Sequence, residues 1–344
     1  MITKYPKISI VILNWQNWSD TLKCLQSVLL NNYPKYDCIV VDNGSNNDSE
    51  QIIVHWLENQ ENIVNKYSTS NEGKAFNMRQ NGRRCYGNYE YYYVDKSRSP
   101  IHITLLQTGI NLGYSGGNNV GIERALKSSC DYVLILNSDT IVNQGFVLNI
   151  AKAALDSSAS VIGGLIKDSS GKKILASGES LFKNCLSLGF LKPRIPKGLW
   201  CQTGCVNGSA MMLSRTMLIQ RKNQLGHYLN PHLFMFCEEN EIGFWCKAQG
   251  LKSIISNNSV VFHKVSGSSA GAYSSMAFYY STRNRMIIAK KYFKGPKLWL
   301  FYISFFLLRF MRSSYYFLLR KKEIAHAILL GLFDGVKDVT GPKL

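Results

Sequence analysis

The sequence predicts an α/β fold with a doubly wound, mostly parallel sheet. Continuous apolar runs over 8–13, 38–41 and 132–136 alternate with segments of helical periodicity, and each run ends beside a polar residue. Continuous apolar character is typical of strands that are buried on both faces of a parallel sheet. Because such sheets bind ligands at the carboxyl ends of their strands, the polar residues there are the first candidates for a functional site.

The first half of the chain follows this alternation. The expected elements, in chain order, are strand 8–13, a helix with Leu22, Leu25, Val28 and Leu29 on one face, strand 38–41, helix 51–57, strand 101–107, helix 121–126 and strand 132–136. The stretch 66–100 interrupts the pattern, because it is polar and rich in tyrosine, with Asn-Gly and Tyr-Gly turns. We expect an insertion or a mobile loop there.

The second half is less regular, and it continues the same domain. An acidic cluster of Glu238, Glu239 and Glu241 runs into a helix, and strand 253–262 ends at His263. Residues 1–275 are therefore expected to form one domain.

A basic, amphipathic helical region is expected over residues 276–344. It contains a charge-free apolar run, 298–308, between Lys297 and Arg309. A transmembrane helix needs about 20 apolar residues, so this run is too short to span a bilayer. A helix lying in the membrane interface fits it better.

The charge of the chain predicts an anionic partner. The chain has 40 Lys and Arg against 22 Asp and Glu, a formal net charge of +18, and residues 283–344 hold 13 of these cations against three acids. The cations are interleaved with Leu and Phe, which favours an anionic membrane surface over nucleic acid. We expect a peripheral protein at the cytoplasmic face of the membrane. The alternative is that these apolar residues form core helices or the interface of a homo-oligomer.

Cysteine usage and the N-terminal segment agree with a cytoplasmic location. The nine cysteines are irregularly spaced and include no C-x-x-C pair, which argues against a disulfide framework and a structural zinc site. The first residues lack the apolar core of a signal peptide.

The segment Asn137-Ser138-Asp139 follows the strand 132–136. A carboxylate at the end of such a strand can hold Mg²⁺ or Mn²⁺, which prefer oxygen ligands and bridge protein to diphosphate. The alternative is that Asp139 only caps a helix.

Glu238 and Glu239 are adjacent, so one of the two can face a pocket as a general base. The alternative is that both only offset the dipole of the helix that follows. His263 at the end of its strand could bind a metal or a diphosphate, although a lone histidine there is more often structural.

The glycine-rich segment 111–119 precedes a helix and contains Asn111, Gly113 and Asn118. Such a loop allows close approach of the backbone to a phosphate or a ribose. It is not G-x-G-x-x-G and it lacks the lysine of a P-loop, so a dinucleotide enzyme and a P-loop NTPase are disfavoured. The alternative is a plain turn with a glycine cap.

Taken in order, these segments resemble the family 2 inverting glycosyltransferases, in particular the branch of rhamnosyl- and galactofuranosyl-transferase-like enzymes. The matching segments are 9–14, 40–45, 111–119, 136–140, 208–212, 236–239, 261–263 and 280–284. They span almost the whole chain. The resemblance implies a GT-A fold and an inverting transfer of sugar from a UDP-, dTDP- or GDP-sugar to the hydroxyl of a glycan or a lipid-linked acceptor.

The resemblance also assigns roles to residues. Asp139 would bind the metal with His263, and Glu239 stands where the family's E-D motif has its catalytic Asp, with Glu238 as the other candidate. The nucleotide-sugar contacts would come from Asn14, Asp42, Asn111, Gly113, Asn118, Asn137 and Ser138.

Two departures from the family pattern are visible. Asn137 replaces the first acid of D-x-D, which leaves one carboxylate for the metal, and Glu239 is one methylene longer than the family's Asp. The chain lacks the Q-x-x-R-W motif of processive members, which favours transfer of a single sugar. The main alternative is an inactive or regulatory protein of the same fold that binds sugar nucleotides.

Overall fold

The computed structural model describes residues 5–65, 78–80, 83–94, 99–178, 180–181, 198–264 and 274–343 of the chain. The strands are β1 (Ile8–Asn14), β2 (Tyr36–Asp42), β3 (Ile63–Asn65), β4 (Met78–Gln80), β5 (Arg83–Tyr93), β6 (Ile101–Gln107), β7 (Tyr132–Asn137), β8 (Thr140–Val142), β9 (Val161–Asp168), β10 (Ile174–Ala176), β11 (Trp200–Gln202), β12 (Ala210–Ser214) and β13 (Ser253–His263). The helices are α1 (Trp18–Leu29), α2 (Ser49–Glu58), α3 (Gly113–Lys127), α4 (Phe146–Ser157), α5 (Arg215–Leu225), α6 (Glu238–Ala248), α7 (Ser275–Tyr292), α8 (Pro296–Leu318) and α9 (Lys322–Val336), with a 3₁₀ turn at Pro231–Leu233.

One large mixed sheet organises the molecule. Its strand order is β11-β13-β9-β12-β7-β1-β2-β6-β5-β3, and β7, β1, β2 and β6 run parallel to one another. The apolar runs form these central strands because both of their faces are covered; Ile10, Val11 and Ile12 of β1 are completely buried. The predicted parallel core is therefore present, and antiparallel strands extend it on both sides.

The register of the central strands brings their polar ends together. Asn14 at the end of β1 is paired with Asp42 at the end of β2, and Leu13 is paired with Asn137 at the end of β7. The polar carboxyl edge predicted from the sequence is confirmed.

Strand β13 connects this edge to the second half of the chain. It runs parallel to β9 and antiparallel to β8, with His263 opposite Thr140. The last residue of β13 therefore lies next to the segment that follows β7.

Of the insertion or mobile loop expected over 66–100, the mobile loop is wrong for residues 78–80 and 83–93. Residues 78–80 form β4, which pairs with β5, and residues 83–93 form β5, which is antiparallel to β6 and carries the sheet beyond its parallel core. The tyrosines that looked like loop residues are good strand formers, and Tyr91 is fully buried against the core. Residues 66–77, 81–82 and 95–98 of the stretch lie outside the described residues.

Helix α3 begins eight residues earlier than expected, at Gly113. The side-chain oxygen of Asn43 accepts a hydrogen bond from the Leu112 amide at 3.1 Å, and that of Asn111 accepts one from the Gly113 amide at 2.8 Å. These two asparagines satisfy amides at the start of the helix, so tertiary contacts outweigh the low helix propensity of its glycines.

The C-terminal region is helical, as predicted. Helix α9 packs closely on α7, because a Cβ on Gly331 would lie 2.6 Å from the Tyr279 carbonyl oxygen and one on Gly335 would lie 2.7 Å from the Met286 Cβ. Helix α8 buries one side, which includes Phe301 and Phe305.

The opposite side of α8 is exposed and apolar. Arg309, expected to flank the apolar run at the surface, is instead buried, and its guanidinium lies over the Phe305 ring. Within the described parts of the chain, no helix is both long enough and apolar enough to cross a membrane.

Candidate active site

A cleft of about 270 Å³ opens at the carboxyl edge of the parallel strands. Its wall is formed by Leu13, Trp15, Asn43, Asn111, Gly113, Tyr114, Asn137, Ser138, Asn207, Gly208, Ser209, Met235, Phe236, Cys237, Glu238, Glu239 and His263. Seven of the predicted site residues, Asn111, Gly113, Asn137, Ser138, Glu238, Glu239 and His263, therefore meet in one cleft.

The two adjacent glutamates at the start of α6 have different surroundings. Glu238 is buried, and its Oε1 accepts a hydrogen bond from the Ser115 hydroxyl at 3.1 Å. Burial raises the pKa of Glu238 to about 8, and the neighbouring Glu239 adds to this rise. Glu239 is only half-buried on the cleft wall. The pair thus combines a carboxyl held in its neutral form near neutral pH with a second carboxylate that faces the cleft.

An unusual backbone leads into these glutamates. Phe234, Phe236 and Cys237 have φ angles of 63°, 67° and 71°, in the left-handed region that side chains other than glycine rarely adopt. Such conformations persist only where the surroundings enforce them, and they cluster at functional sites.

Tyr114 connects the glutamates to the β12 side of the cleft. Its hydroxyl donates a hydrogen bond to the Gly208 carbonyl oxygen at 2.6 Å. Burial, followed by the charges of Glu238 and Glu239, raises the pKa of Tyr114 well above its usual value, so it stays a neutral donor. A Cβ on Gly208 would lie 3.7 Å from Glu239 Oε2, which places that carboxylate close to the same point.

Asp139 and His263 form the second chemical feature of the site. His263 Nε2 lies 3.0 Å from Asp139 Oδ1, and the Lys264 amide donates to the Asp139 carbonyl oxygen at 3.1 Å. Asp139 is followed by β8 and not by a helix, so the helix-cap alternative is wrong. His263 faces the main cleft, whereas Asp139 borders a second cavity of about 330 Å³ on the other side.

Asn14 and Asp42 lie beneath the cleft and not on its wall. Both are fully buried, and the Asn14 side-chain amide donates to Asp42 Oδ1 at 2.6 Å. Asp42 also accepts hydrogen bonds from Ser45 and from the Gln107 side chain. In this structure the two residues therefore brace the carboxyl edge and offer no surface to a nucleotide.

Gly113 and Asn118 have structural roles that the sequence did not reveal. Gly113 has φ +71°, and a Cβ there would lie 2.3 Å from the Phe234 carbonyl oxygen, so the glycine admits the segment that leads to Glu238. Asn118 is fully buried inside α3, where its amide donates to the Tyr114 carbonyl oxygen at 2.9 Å, and it does not reach the cleft wall.

Sequence reasoning missed several residues of the cleft. Trp15, Asn43, Tyr114, Asn207 and Ser209 line it but were not singled out. Trp15 and Asn43 directly follow strand ends that were identified, so extending each candidate by one residue would have found them. Tyr114 and Ser209 lie within the matching segments 111–119 and 208–212 but were given no role of their own. Asn207 carried no comparable signal, because only the fold brings the segment before β12 to this edge.

Comparison with known proteins supports a glycosyltransferase. Residues 9–94 match the family model described as glycosyl transferase family 2. This segment contains β1, β2 and the polar ends that brace the cleft.

One curated relative extends the match. The chain is 28% identical over 218 residues to the low-salt glycan biosynthesis hexosyltransferase Agl10 of Haloferax volcanii. The aligned region covers 59% of this chain and 63% of the length of that relative, just under two thirds.

Solved structures share the fold over nearly the whole chain. S. aureus TarS 1-349 in complex with UDP-GlcNAc superposes with a TM-score of 0.57 at 14% identity, covering 97% of this chain and 81% of that chain. The mannosyltransferase PcManGT from Pyrobaculum calidifontis, in complex with GDP-Man and Mn²⁺, superposes with a TM-score of 0.55 at 11% identity, covering 98% and 88%. The large α/β sheet thus fits the GT-A fold, and the resemblance to family 2 is supported.

Proposed function

We propose that this chain is an inverting, metal-dependent glycosyltransferase that moves one sugar from a nucleotide-sugar to an acceptor hydroxyl. The observation that carries the proposal is the meeting of Glu239 and His263, with its partner Asp139, at one cleft. A site for this reaction needs a base for the acceptor and a cation near the leaving diphosphate; Glu239 can act as the base, and Asp139 with His263 can act as ligands of the cation.

Glu239 is the better candidate for the general base. Both glutamates line the cleft, but Glu239 is the more exposed of the two, whereas Glu238 is buried, accepts a hydrogen bond from Ser115 and holds its proton up to a pH of about 8. Glu239 would take the proton of the acceptor hydroxyl while that oxygen attacks the anomeric carbon from the face opposite the nucleotide. The bond to the diphosphate breaks in the same step, and no covalent sugar–enzyme intermediate is needed.

Asp139 and His263 are the residues that would hold a divalent cation. A carboxylate suits Mg²⁺ and Mn²⁺, and an imidazole suits transition metals, so the pair fits Mn²⁺ better than Mg²⁺. In the described ranges no group of three His, Cys, Asp or Glu side chains is arranged as a metal site, so donor oxygens would complete the coordination. When bound, the cation would stabilise the charge that develops on the leaving diphosphate.

The comparisons with known proteins support a nucleotide-sugar donor. Structural neighbours bind UDP-GlcNAc and GDP-Man, and the hexosyltransferase relative acts in glycan biosynthesis. A UDP-, dTDP- or GDP-sugar is the proposed donor. The narrower resemblance to rhamnosyl- and galactofuranosyl-transferases stays a prediction.

A screen for nucleotide release tests this proposal. The full chain is incubated with a panel of UDP-, GDP- and dTDP-sugars, with and without Mn²⁺, and release of the nucleoside diphosphate is followed. Release that depends on Mn²⁺ and is lost in Glu239→Gln supports a transferase. Donor binding by calorimetry without turnover for any donor or acceptor would instead favour the inactive, sugar-nucleotide-binding alternative.

The acceptor proposal rests on the exposed side of α8. Its large apolar residues, between 52% and 79% exposed, are Trp299, Leu300, Ile303, Leu307, Phe310, Met311, Tyr315, Phe317 and Leu318. Six exposed cations lie within α8 or next to its ends along the chain: Lys294, Lys297, Arg312, Arg320, Lys321 and Lys322. An apolar face accompanied by cations suits an anionic bilayer, where each basic residue contributes about 1 kcal/mol. We propose that α8 docks on the cytoplasmic face of the membrane, where a lipid-linked acceptor would be presented.

A further inference from the structure

Segment 280–284, one of those that resemble family 2 glycosyltransferases, has no part in the chemistry described so far. Its last two residues, Arg283 and Asn284 on α7, have no exposed surface. Buried polar side chains of this size need many hydrogen bonds, so the partners of these two residues indicate what they do.

The side-chain amide of Asn284 binds three backbone carbonyl groups of one loop. Its side-chain amide lies 3.0 Å from the carbonyl oxygen of Leu233, 2.8 Å from that of Met235 and 2.8 Å from that of Phe236. We call residues 232–237 the catalytic-edge loop, because it forms part of the cleft wall and leads directly into Glu238 and Glu239.

Arg283 holds the beginning of the same loop. Its Nη2 donates to the carbonyl oxygens of Leu233 at 3.0 Å and His232 at 3.3 Å, and its Nε donates to Asn284 Oδ1 at 3.0 Å. This last bond fixes the orientation of the asparagine, so that its amide hydrogens face the loop. The two residues therefore act on the loop as one unit.

A C-terminal segment completes the arrangement. Arg283 Nη1 donates to the Gly341 carbonyl oxygen at 2.7 Å, and the Gly341 amide donates to the His232 carbonyl oxygen at 2.8 Å. Tyr280 stacks on Phe234 with ring centroids 5.5 Å apart, and its hydroxyl accepts a hydrogen bond from the Lys343 amide at 2.7 Å. The segment after α9 thus contacts both the loop and the α7 residues that hold it, and it is not part of the cleft wall.

The loop needs such support. Phe234, Phe236 and Cys237 have side chains that disfavour the left-handed conformation, and Phe234 packs so closely on Gly113 that a Cβ there would clash with it. Without the hydrogen bonds from α7, the loop would relax toward ordinary backbone angles, and the first turn of α6 would move with it.

We propose that Arg283 and Asn284 are positioning residues, which act through the catalytic-edge loop to set the position of Glu239 in the cleft. This inference rests on the proposed function, in which Glu239 is the base. Residues 340–343 serve the same purpose, because the backbone of this segment forms hydrogen bonds with Arg283 and His232.

The test is a double-mutant cycle between Asn284 and Glu239. Asn284→Ala removes the amide, and Thr282→Val is the matched control, because Thr282 is equally buried on α7 and its hydroxyl has no hydrogen-bond partner within the described residues. We expect Asn284→Ala to lower kcat by about tenfold or more, since small displacements of a reacting group are costly, while Thr282→Val leaves it unchanged. In a Glu239→Gln background, Asn284→Ala should have no further effect on kcat, because it acts only through Glu239.

A second measurement does not depend on activity. Amide hydrogen exchange should speed up in residues 232–239 of Asn284→Ala and of a chain ending at Val339, and stay unchanged in β1 and β2. Additive losses of kcat in the cycle, or unchanged exchange of the loop in both variants, would overturn the positioning role. A wild-type chain without turnover would instead refute the proposed function. The exchange result would still decide whether Arg283 and Asn284 hold the catalytic-edge loop in place.

Discussion

His263 Nε2 lies 3.0 Å from Asp139 Oδ1, although the two residues are far apart in the sequence. The contact forms because β13 ends antiparallel to β8, so the last residue of one strand lies beside the residue that precedes the other. The pair brings the two kinds of predicted metal ligand, a carboxylate and an imidazole, into direct contact, and His263 presents it to the cleft.

Asp139→Asn should abolish Mn²⁺-dependent turnover and leave the fold intact, because it removes the sole carboxylate of this pair. His263→Ala should weaken Mn²⁺ binding less, since the carboxylate remains. Calorimetric titration of Mn²⁺ in the presence of a nucleoside diphosphate measures both effects. Asp37→Asn is the control, because Asp37 is a buried aspartate at the opposite end of β2. Wild-type Mn²⁺ affinity in Asp139→Asn would remove this residue from the metal site.

Glu239→Gln should keep donor affinity and lose transfer by about 10²-fold or more, the range expected when a general base is removed. Glu238→Gln should be milder, because Glu238 already carries a proton near neutral pH. Initial rates of nucleotide release and donor affinities from calorimetry are compared for the two variants. If only Glu238→Gln lost transfer while both variants still bound donor, the assignment of the base would be reversed.

The raised pKa of Glu238 predicts a pH-dependent stability. The folded state binds this proton up to a pH of about 8, whereas the ordinary value is 4.5, so the stabilisation is complete below 4.5 and is lost as the pH rises through about 8. Wild-type protein should therefore become less stable relative to Glu238→Gln over this interval, by an amount on the order of a few kcal/mol.

Denaturant unfolding of both proteins between pH 5 and 9 measures the difference. Glu241 on the same helix does not interfere: burial opposes its ionisation, but Arg221 and Lys291 outweigh burial and lower the pKa of Glu241 to about 2. Its stabilisation is lost only as the pH falls from 4.5 through about 2. Parallel stability curves for wild type and Glu238→Gln would show that Glu238 is ionised in the folded protein.

Replacing three exposed apolar residues of α8, in the variant Trp299→Glu, Ile303→Glu, Leu307→Glu, should abolish binding to anionic vesicles. These side chains are 68%, 69% and 60% exposed and lie one turn apart along one side of the helix, so the change removes apolar area and adds repulsion. Co-sedimentation with anionic and neutral vesicles at low and high salt measures binding. Leu155→Glu on α4 is the control, since Leu155 is an exposed leucine of a different helix.

Wild-type protein that stays in the supernatant with anionic vesicles at low salt would contradict membrane docking. A concentration-dependent dimer that only the triple variant loses would assign the same face to a second copy of the chain.

The parts of the fold that the sequence predicted well are those governed by local pattern. The predicted bounds of strands β1, β2, β6 and β7 agree with the observed bounds to within two residues at either end. Continuous β-branched runs between turns leave few alternatives. The start of α3 and the strand β5 were mispredicted for one common reason. Asn43, in the segment after β2, accepts a hydrogen bond from the Leu112 amide at the start of α3, and Tyr91 packs into a core formed by distant residues. Neither contact is visible in a local window.

The candidate site divides in the same way. Glu238, Glu239 and His263 were found because a polar residue next to an apolar run is conspicuous, and the structure brings them to one cleft. The burial of Asn14 and Asp42 could not be predicted, since it depends on Ser45 and Gln107 reaching the same carboxylate. The different surroundings of Glu238 and Glu239 likewise follow from Ser115 on another helix.

The contact between Gly341 and His232 sets an order of events during synthesis. A ribosome completes the central strands and the segment that carries Glu239 long before it makes Gly341, so the nascent protein has its sheet while the loop beside the cleft still lacks its last support. Polypeptides that terminate prematurely after α9 would retain every residue of the cleft and still lack that support. Such fragments should bind ligands poorly and be cleaved by proteases in the region 232–237 faster than a chain that includes Gly341.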